Sequence, residues 1–327
     1  MFVSKIIDKH PQIMSAPFKF ACHFIVNAML IMFCNQATAV QQEAVEAFDM
    51  SAHSRTLVIN DLEFPVTVYG EGPAVVFLHG FPDSREVWRY QVQAVADGGY
   101  RVIVPDQRGF GGASRPEGVE HYNIQALAAD IIGIMDRLDI HQPRLVGHDF
   151  GAGLAWFMAA HIPERFSQLV VMSVGSSGNP GWDTIEQREA SWYFDFFNKT
   201  GVAETALMAD DWDFFKRLTR HSGDQDQFIR DLSRPGALAA ALNWYRANTQ
   251  GWGSLHSGLN YPLINMPVMG IWSSADPFLK EAQMQSSNIN VDGPWRYERI
   301  EDAGHWFMLE KPATVNSLLL DFFDSYR

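Results

Sequence analysis

Two hydrophobic rhythms alternate along most of the chain. Residues 56–60 and 63–69 read as strands joined at Asn60-Asp61, which predicts an opening hairpin. Ala74–Leu78 is continuously apolar, as a strand buried on both faces must be. Ser84 is placed to cap a helix running to about Ala96, and 101–105 predicts the next strand, followed by a Gly-rich loop from Gln107 to Pro116. Over 124–138, Leu127, Ile131, Ile134, Met135 and Leu138 recur at helical spacing on one side. A strand at 144–147, a helix at 152–160 and a strand at 169–174 follow. Strands alternating with helices predict a mostly parallel sheet covered on both faces.

The alternation stops near residue 177 and resumes near 263. The intervening stretch is dense in aromatics and reads as mostly helical, with Trp192 to Phe197, Trp212 to Phe215, Trp244 and Tyr245. Strands at 268–272 and 295–300 and a closing helix at 313–323 complete the pattern. The expected organisation is core at 50–176, a helical cap at 177–262 inserted after the sixth strand, and core again at 263–327. Such an insert is expected over the C-terminal edge of the sheet, where ligands bind in folds of this kind.

A different pattern precedes the first strand. Residues 21–34 form an apolar run too short for the roughly 20 residues of a membrane span, so no stable span is expected. Lys19 stands before the run and Ala37-Thr38-Ala39 after it, which predicts a signal peptide over 1–39 and a periplasmic or secreted protein. The alternative is an N-terminal helix on a cytoplasmic enzyme, and a true start at Met14 would shorten the positive region. Both cysteines, Cys22 and Cys34, lie in this leader, so the mature chain would have neither disulfides nor thiolate chemistry.

Composition narrows the function classes. The 327 residues are 47% hydrophobic, enough for one large core plus an insertion. Lys and Arg number 25 against 38 Asp and Glu, a formal charge of −13. An acidic surface without a basic stripe repels phosphate backbones, so nucleic acid is not an expected partner.

The candidate chemistry centres on Gly147-His148-Asp149-Phe150-Gly151, a Gly-x-nucleophile-x-Gly turn between a predicted strand and a predicted helix. Its central residue is Asp rather than Ser. A carboxylate is ionised at neutral pH and attacks without a base. It suits displacement at a saturated carbon, giving an alkyl ester that water can cleave at the carboxyl carbon. The turn alone leaves ring opening and halide expulsion equally open. Alone, Asp149 would also serve as a helix cap.

His305, in Asp302-Ala303-Gly304-His305-Trp306, follows the last strand, where the order nucleophile, acid, base puts a water-activating histidine. Asp276, in Ser274-Ala275-Asp276-Pro277, ends the seventh strand and would fix the tautomer of His305. An acid after the sixth strand is the other option, but Ser173–Pro180 holds none. His79-Gly80-Phe81-Pro82 ends the third strand, and the amides of Phe81 and Phe150 can form an oxyanion hole.

These motifs, HGFP at 79–82, GHDFGA at 147–152, the loop around Asp276 and AGHW at 303–306, resemble the epoxide hydrolase branch of the α/β-hydrolase superfamily over nearly all of 60–326. The resemblance implies an α/β-hydrolase fold with an eight-stranded, mostly parallel sheet. It also implies two cap tyrosines that bind the epoxide oxygen. Tyr193, in Trp192-Tyr193-Phe194, and Tyr245, in Asn243-Trp244-Tyr245-Arg246, match their motifs. Two phenols can share the charge of the alkoxide formed on ring opening.

The related haloalkane dehalogenases share the Asp149 and His305 motifs but are expected to carry a halide-binding Asn or Trp where Phe81 stands and a Trp in place of Phe150. Fluoroacetate dehalogenases are expected to carry arginines just after the nucleophile, where this chain has Phe150 and Ala152. The expected activity is therefore conversion of an epoxide to a vicinal diol, with a dehalogenase or a secreted ligand-binding protein as alternatives. Trp192 and Trp244 are expected to contact a small apolar epoxide, and water is the second substrate. No metal or cofactor is expected, since there is no H-E-x-x-H, cysteine cluster or P-loop. The sequence does not specify an oligomeric state. N-terminal sequencing of the exported protein should begin at Val40; a chain recovered with residues 1–39 intact would remove the leader assignment.

Overall fold

The computed structural model describes residues 45–249 and 262–327. The expected leader and the end of the predicted cap, 250–262 save for its last residue, lie outside the described residues. Eight strands form one sheet: β1 (Ser54–Ile59), β2 (Leu62–Tyr69), β3 (Ala74–Leu78), β4 (Arg101–Pro105), β5 (Arg144–His148), β6 (Gln168–Met172), β7 (Val268–Ser273) and β8 (Trp295–Ile300). Their spatial order is β1-β2-β4-β3-β5-β6-β7-β8. Strand β2 runs antiparallel to both neighbours and the rest are parallel.

The opening hairpin forms because Asn60 and Asp61 both accept positive φ, 50° and 62°, as a two-residue turn between twisted strands requires. The central strands are apolar on both sides because both sides are covered: Val75, Val76, Phe77 and Leu78 of β3 and Leu145 and Val146 of β5 are all buried.

Eleven α-helices accompany the sheet among the described residues: α1 (Val92–Asp97), α2 (Ile124–Arg137), α3 (Phe150–His161), α4 (Ile185–Ala190), α5 (Tyr193–Phe197), α6 (Val202–Leu218, interrupted at Ala209–Trp212), α7 (Gln225–Leu232), α8 (Ala237–Asn248), α9 (Glu281–Gln285), α10 (Phe307–Glu310) and α11 (Pro312–Ser325). The strand order reverses at β3, so right-handed crossovers put α1 on one face and α2 and α3 on the other. Helix α11 returns to pack beside α1. Helix α2 starts at Asn123, whose side chain accepts the Ala126 amide, and it buries Leu127, Ile131, Ile134 and Met135 as their spacing predicts.

The continuous helix expected from Ser84 to Ala96 does not form. A 3-10 turn at Arg85–Trp88 is followed by the separate α1, and Ser84 makes no side-chain cap. Asp106, at the end of β4, accepts both the Arg85 amide at 2.9 Å and its guanidinium at 3.2 Å. That pairing holds the first turn against the sheet edge and separates it from the helix that follows.

Helices α4 to α8 all lie between β6 and β7 in the chain. Helix α8 is fastened to the loops of the sheet by three contacts. The Trp244 indole donates to the Arg108 carbonyl at 2.9 Å, and the Asn248 side chain bonds the Tyr122 carbonyl and the Ile124 amide, each at 2.8 Å. Arg108 itself makes a buried two-pronged pair with Asp130 of α2, both contacts at 2.7 Å. Burial pushes the Asp130 carboxyl up in pKa, and the Arg108 guanidinium opposes that shift. Removing one partner of such a pair strands the other charge. Asp130→Ala should therefore lower stability by about 3–5 kcal/mol in urea unfolding; a loss within the scatter of surface substitutions would show that the pair is solvated.

Candidate active site

Backbone strain marks the start of the site. Asp149 has φ 51° and ψ −124° between the end of β5 and the start of α3. That is a sparsely populated conformation for a residue with a side chain. The turn can be this tight because of its glycines. A Cβ on Gly147 would lie 2.3 Å from the Gly151 carbonyl oxygen, and one on Gly151 would lie 2.3 Å from that of Leu78. The Asp149 carboxylate is thereby pushed up beneath two amides. It accepts the Phe81 N–H at 2.8 Å and is also bonded by the Phe150 N–H. Burial by itself would raise its pKa. The adjacent His305 and the Phe150 amide outweigh burial and hold the carboxyl below its ordinary range.

His305 lies between two carboxylates. Its Nδ1–H donates to Asp276 Oδ2 at 2.8 Å, and its Nε2 faces Asp149 Oδ2 at 3.6 Å. Burial lowers the proton affinity of an imidazole. Here the charge of Asp276 and the contacts to both carboxylates prevail and push His305 up to about 10. Asp276 is aimed by its own loop, since its Oδ1 accepts the amides of Phe278 at 2.8 Å and Leu279 at 3.0 Å. The loops after β7 and β8 are tied together by Ala275 N–H on the Ala303 carbonyl at 3.0 Å and the Ser273 hydroxyl on the Gly304 carbonyl at 2.7 Å.

A second polar layer lies behind His305, and the sequence reading missed it. His148 donates Nε2–H to the His305 carbonyl at 3.0 Å. The Trp306 indole donates to Asp83 Oδ2 at 3.1 Å, and that oxygen lies 3.9 Å from His148 Nδ1. Burial keeps His148 neutral, lowering its pKa to about 3, and pushes the Asp83 carboxyl well up. His148 stands inside a quoted motif, beside Asp149, and Asp83 directly follows HGFP. Nothing in their spacing showed that they meet.

Tyr193 of α5 and Tyr245 of α8 are buried with ring centroids 6.1 Å apart. Phe81 and Phe150 hold the Tyr245 ring edge-on, at 5.5 Å and 4.8 Å. Among the described residues neither phenol donates to the protein, and both line the cavities over Asp149. Burial and then the Asp149 charge push both phenols well above their usual pKa, so both are present as O–H donors.

Comparison with known proteins agrees with this arrangement. The family model of the alpha/beta hydrolase fold matches residues 73–312. The chain is 32% identical to epoxide hydrolase A of Mycobacterium tuberculosis, an alignment covering 84% of this chain and 98% of that protein. The chain belongs to the epoxide hydrolase branch of the α/β-hydrolase superfamily. It is similar to the AB hydrolase superfamily protein YfhM of Bacillus subtilis, at 33% identity over 77% of this chain and 90% of that one. Among solved structures it resembles epoxide hydrolase A from Mycobacterium thermoresistibile, with TM-score 0.73 and 29% identity over 84% of this chain and 98% of that one. An inhibitor complex of the Bacillus megaterium epoxide hydrolase matches with TM-score 0.74 and 25% identity, over 83% and 100% of the two chains. This protein is a hydrolase acting on epoxides.

Two cavities of the epoxide hydrolase meet at Asp149, Tyr193 and Tyr245. One, of about 20 Å³, runs past His305 between Phe197, Leu218, Thr219, Phe278 and Trp306. The other, of about 290 Å³, lies over α3 and is walled by Phe150, Phe157, Val174, Trp182, Phe194 and Leu279. The two tryptophans expected to touch substrate line neither, which corrects that expectation. Trp244 is buried with its indole on Arg108 and its ring edge-on to Phe110 and Phe150, so it joins the helical insertion to the core. Trp192 is 47% exposed and stands beside Phe214 and Arg217 on the wall of an outer cavity, which borders the one beside His305 at Tyr193, Leu218 and Phe278.

The raised pKa of His305 sets a pH dependence. Its ordinary value is 6.5 and its value here is about 10, so its contribution to stability is complete below about pH 6.5 and disappears as pH rises through about 10. Nitrogen-labelled histidine NMR of the resting enzyme should find both ring nitrogens of His305 protonated at neutral pH, and Asp276→Asn should lower that proton affinity. A neutral His305 ring at neutral pH in the unaltered protein would contradict the ion-paired arrangement.

Proposed function

We propose that this epoxide hydrolase opens its substrate covalently, with Asp149 as nucleophile. The observation that carries the reading is a strained, amide-held carboxylate facing two buried phenols on one side and the His305–Asp276 pair on the other. In the first step a carboxylate oxygen of Asp149 attacks one epoxide carbon. The carbon–oxygen bond of the ring breaks, and the electron pair goes to the ring oxygen. Tyr193 and Tyr245 bind that oxygen and one of them gives it a proton. The product is a hydroxyalkyl ester on Asp149.

Esterification removes the charge of Asp149, one of the groups that keep His305 protonated. The imidazolium then returns its proton, by way of solvent, to the phenol that gave one up. The proton inventory closes: a carboxylate and an imidazolium enter, and a neutral ester, a neutral alcohol and a neutral imidazole result. His305 is now a base, oriented by Asp276.

In the second step His305 Nε2 takes a proton from water, and the oxygen of that water attacks the carboxyl carbon of Asp149. The Phe81 and Phe150 amides already hold the carboxylate and are positioned for the developing oxyanion. The ester bond breaks and the diol leaves with the proton from His305. Asp149 retains one solvent oxygen, and its carboxyl proton passes to His305, which restores the carboxylate and the imidazolium. The helices α4 to α8 serve in this reading as a cap that supplies both phenols and excludes water from the opening step. Phe81 and Phe150 carry no side-chain N–H, which weighs against halide as the leaving group.

A single turnover in heavy-oxygen water separates this route from direct attack by water. Enzyme in excess over epoxide should give a first diol free of solvent label, with the label in the peptide containing Asp149. A labelled first diol would rule out the ester. With His305→Gln, intact mass should rise by the mass of the epoxide and stay raised.

A further inference from the structure

We propose that Gly153 determines the substrate class, by leaving room in α3 for one large apolar substituent on a single epoxide carbon. The inference rests on the covalent reading above and adds the shape of the substrate to it. Phe150, Gly153, Phe157 and His161 follow one another along one side of α3 and form the floor of the 290 Å³ cavity. A glycine inside a helix is disfavoured relative to alanine, so its presence calls for a reason.

The neighbouring glycines have such reasons in the backbone. Gly147 and Gly151 each stand where a Cβ would collide with a carbonyl oxygen at 2.3 Å. Gly153 does not. A Cβ built there meets none of the described residues within 4 Å, and its φ is not in the left-handed region. Among the described residues, neither packing nor backbone conformation requires glycine at 153. What the missing side chain provides is space, and that space opens into the cavity beside the Asp149 carboxylate.

The two sides of the site are unequal. The cavity over α3 is close to the lower end of the roughly 300–1,000 Å³ typical of small-molecule sites. The cavity beside His305, at about 20 Å³, has room for one water and little else. Asp149, Tyr193 and Tyr245 border both. An epoxide with its oxygen on the phenols and a carbon on Asp149 therefore finds its room over α3, since Tyr193, Leu218 and Phe278 close in on the other side. On the other side, Leu218 and Phe278 leave a place for the water that His305 would activate. The substrate class is a terminal epoxide whose single substituent is bulky and apolar. Epoxides with bulk on both carbons would run into Phe278 and Leu218.

The test compares kcat/KM for styrene oxide, 1,2-epoxybutane and trans-stilbene oxide in the unaltered enzyme, Gly153→Ala and Gly153→Leu. The unaltered enzyme should favour styrene oxide over trans-stilbene oxide by at least about 100-fold. The ratio of styrene oxide to epoxybutane should fall at least about tenfold in Gly153→Leu, with Gly153→Ala between. Melting temperatures of both variants should match or exceed that of the unaltered enzyme, because a helix gains from losing glycine. An unchanged ratio, a lowered melting temperature showing that packing needs the glycine, or equal turnover of trans-stilbene oxide would each overturn the proposal. Mass measurement of His305→Gln with the same three epoxides separates the two levels. An absence of adduct with all three would sink the covalent reading itself, whereas adducts formed at equal rates would sink only the assignment of shape.

Discussion

A buried carboxylate that must stay ionised is the constraint on which the rest of the structure depends. Taking the charge of Asp149 out of water is costly unless fixed dipoles and an opposite charge replace the solvent. The protein supplies the Phe81 and Phe150 amides and the His305 imidazolium. It does so without surrounding the carboxylate, one side of which borders the cavities. The strained elbow resolves that conflict. At φ 51° the Asp149 side chain leaves the sheet and enters the cavity, while its backbone still bonds into the first turn of α3 through the Ala152 and Gly153 amides. Holding His305 charged in turn requires a second carboxylate, so Asp276 follows from Asp149 on electrostatic grounds.

Strand register brings these groups together from distant parts of the chain. Leu78 pairs with Gly147, His148 with Met172, and Ser273 with Ile300. The loops after β3, β5, β7 and β8 therefore leave the sheet along one edge, and each delivers one part of the site. The phenols come from the helical insertion, which has to be positioned separately. Arg246, next to Tyr245, pairs with Glu204 at 2.8 Å and donates to the Phe197 carbonyl at 3.0 Å. Trp244, on the other side of Tyr245, bonds the Arg108 that Asp130 holds. The orientation of one phenol thus depends on buried polar contacts made by both of its neighbours in sequence.

Much of this was legible in the residues. Strands at Ala74–Leu78 and Arg101–Pro105 were plain because full burial leaves no polar position to blur a short apolar run. The elbow was plain because few residues other than glycine fit at Gly147 and Gly151. Where a tertiary contact overrules a local preference, the sequence was silent. The helix expected after Ser84 breaks because Asp106, more than twenty positions away, holds Arg85. Trp192 and Trp244 were assigned to the pocket on aromatic character alone, and period cannot say which side of a cap helix faces in. Gly153 went unremarked because a third glycine beside two obligatory ones looks like part of the same turn.

On the proposed reading, helix α3 carries both nucleophile and selectivity. Its first residues fix the Asp149 turn, and the side facing the cavity continues as Phe150, Gly153 and Phe157. A change at 153 alters the space beside the reacting carbon while leaving the collisions that enforce the elbow, at 147 and 151, untouched. Polar catalysis depends on backbone geometry at one end of the helix. Substrate shape, on the proposed reading, depends on an omitted side chain less than one and a half turns further on. A side chain at either elbow glycine would collide with a carbonyl oxygen, whereas one at 153 would meet none of the described residues within 4 Å. On that reading, selectivity can change at 153 without altering the geometry of the Asp149 turn.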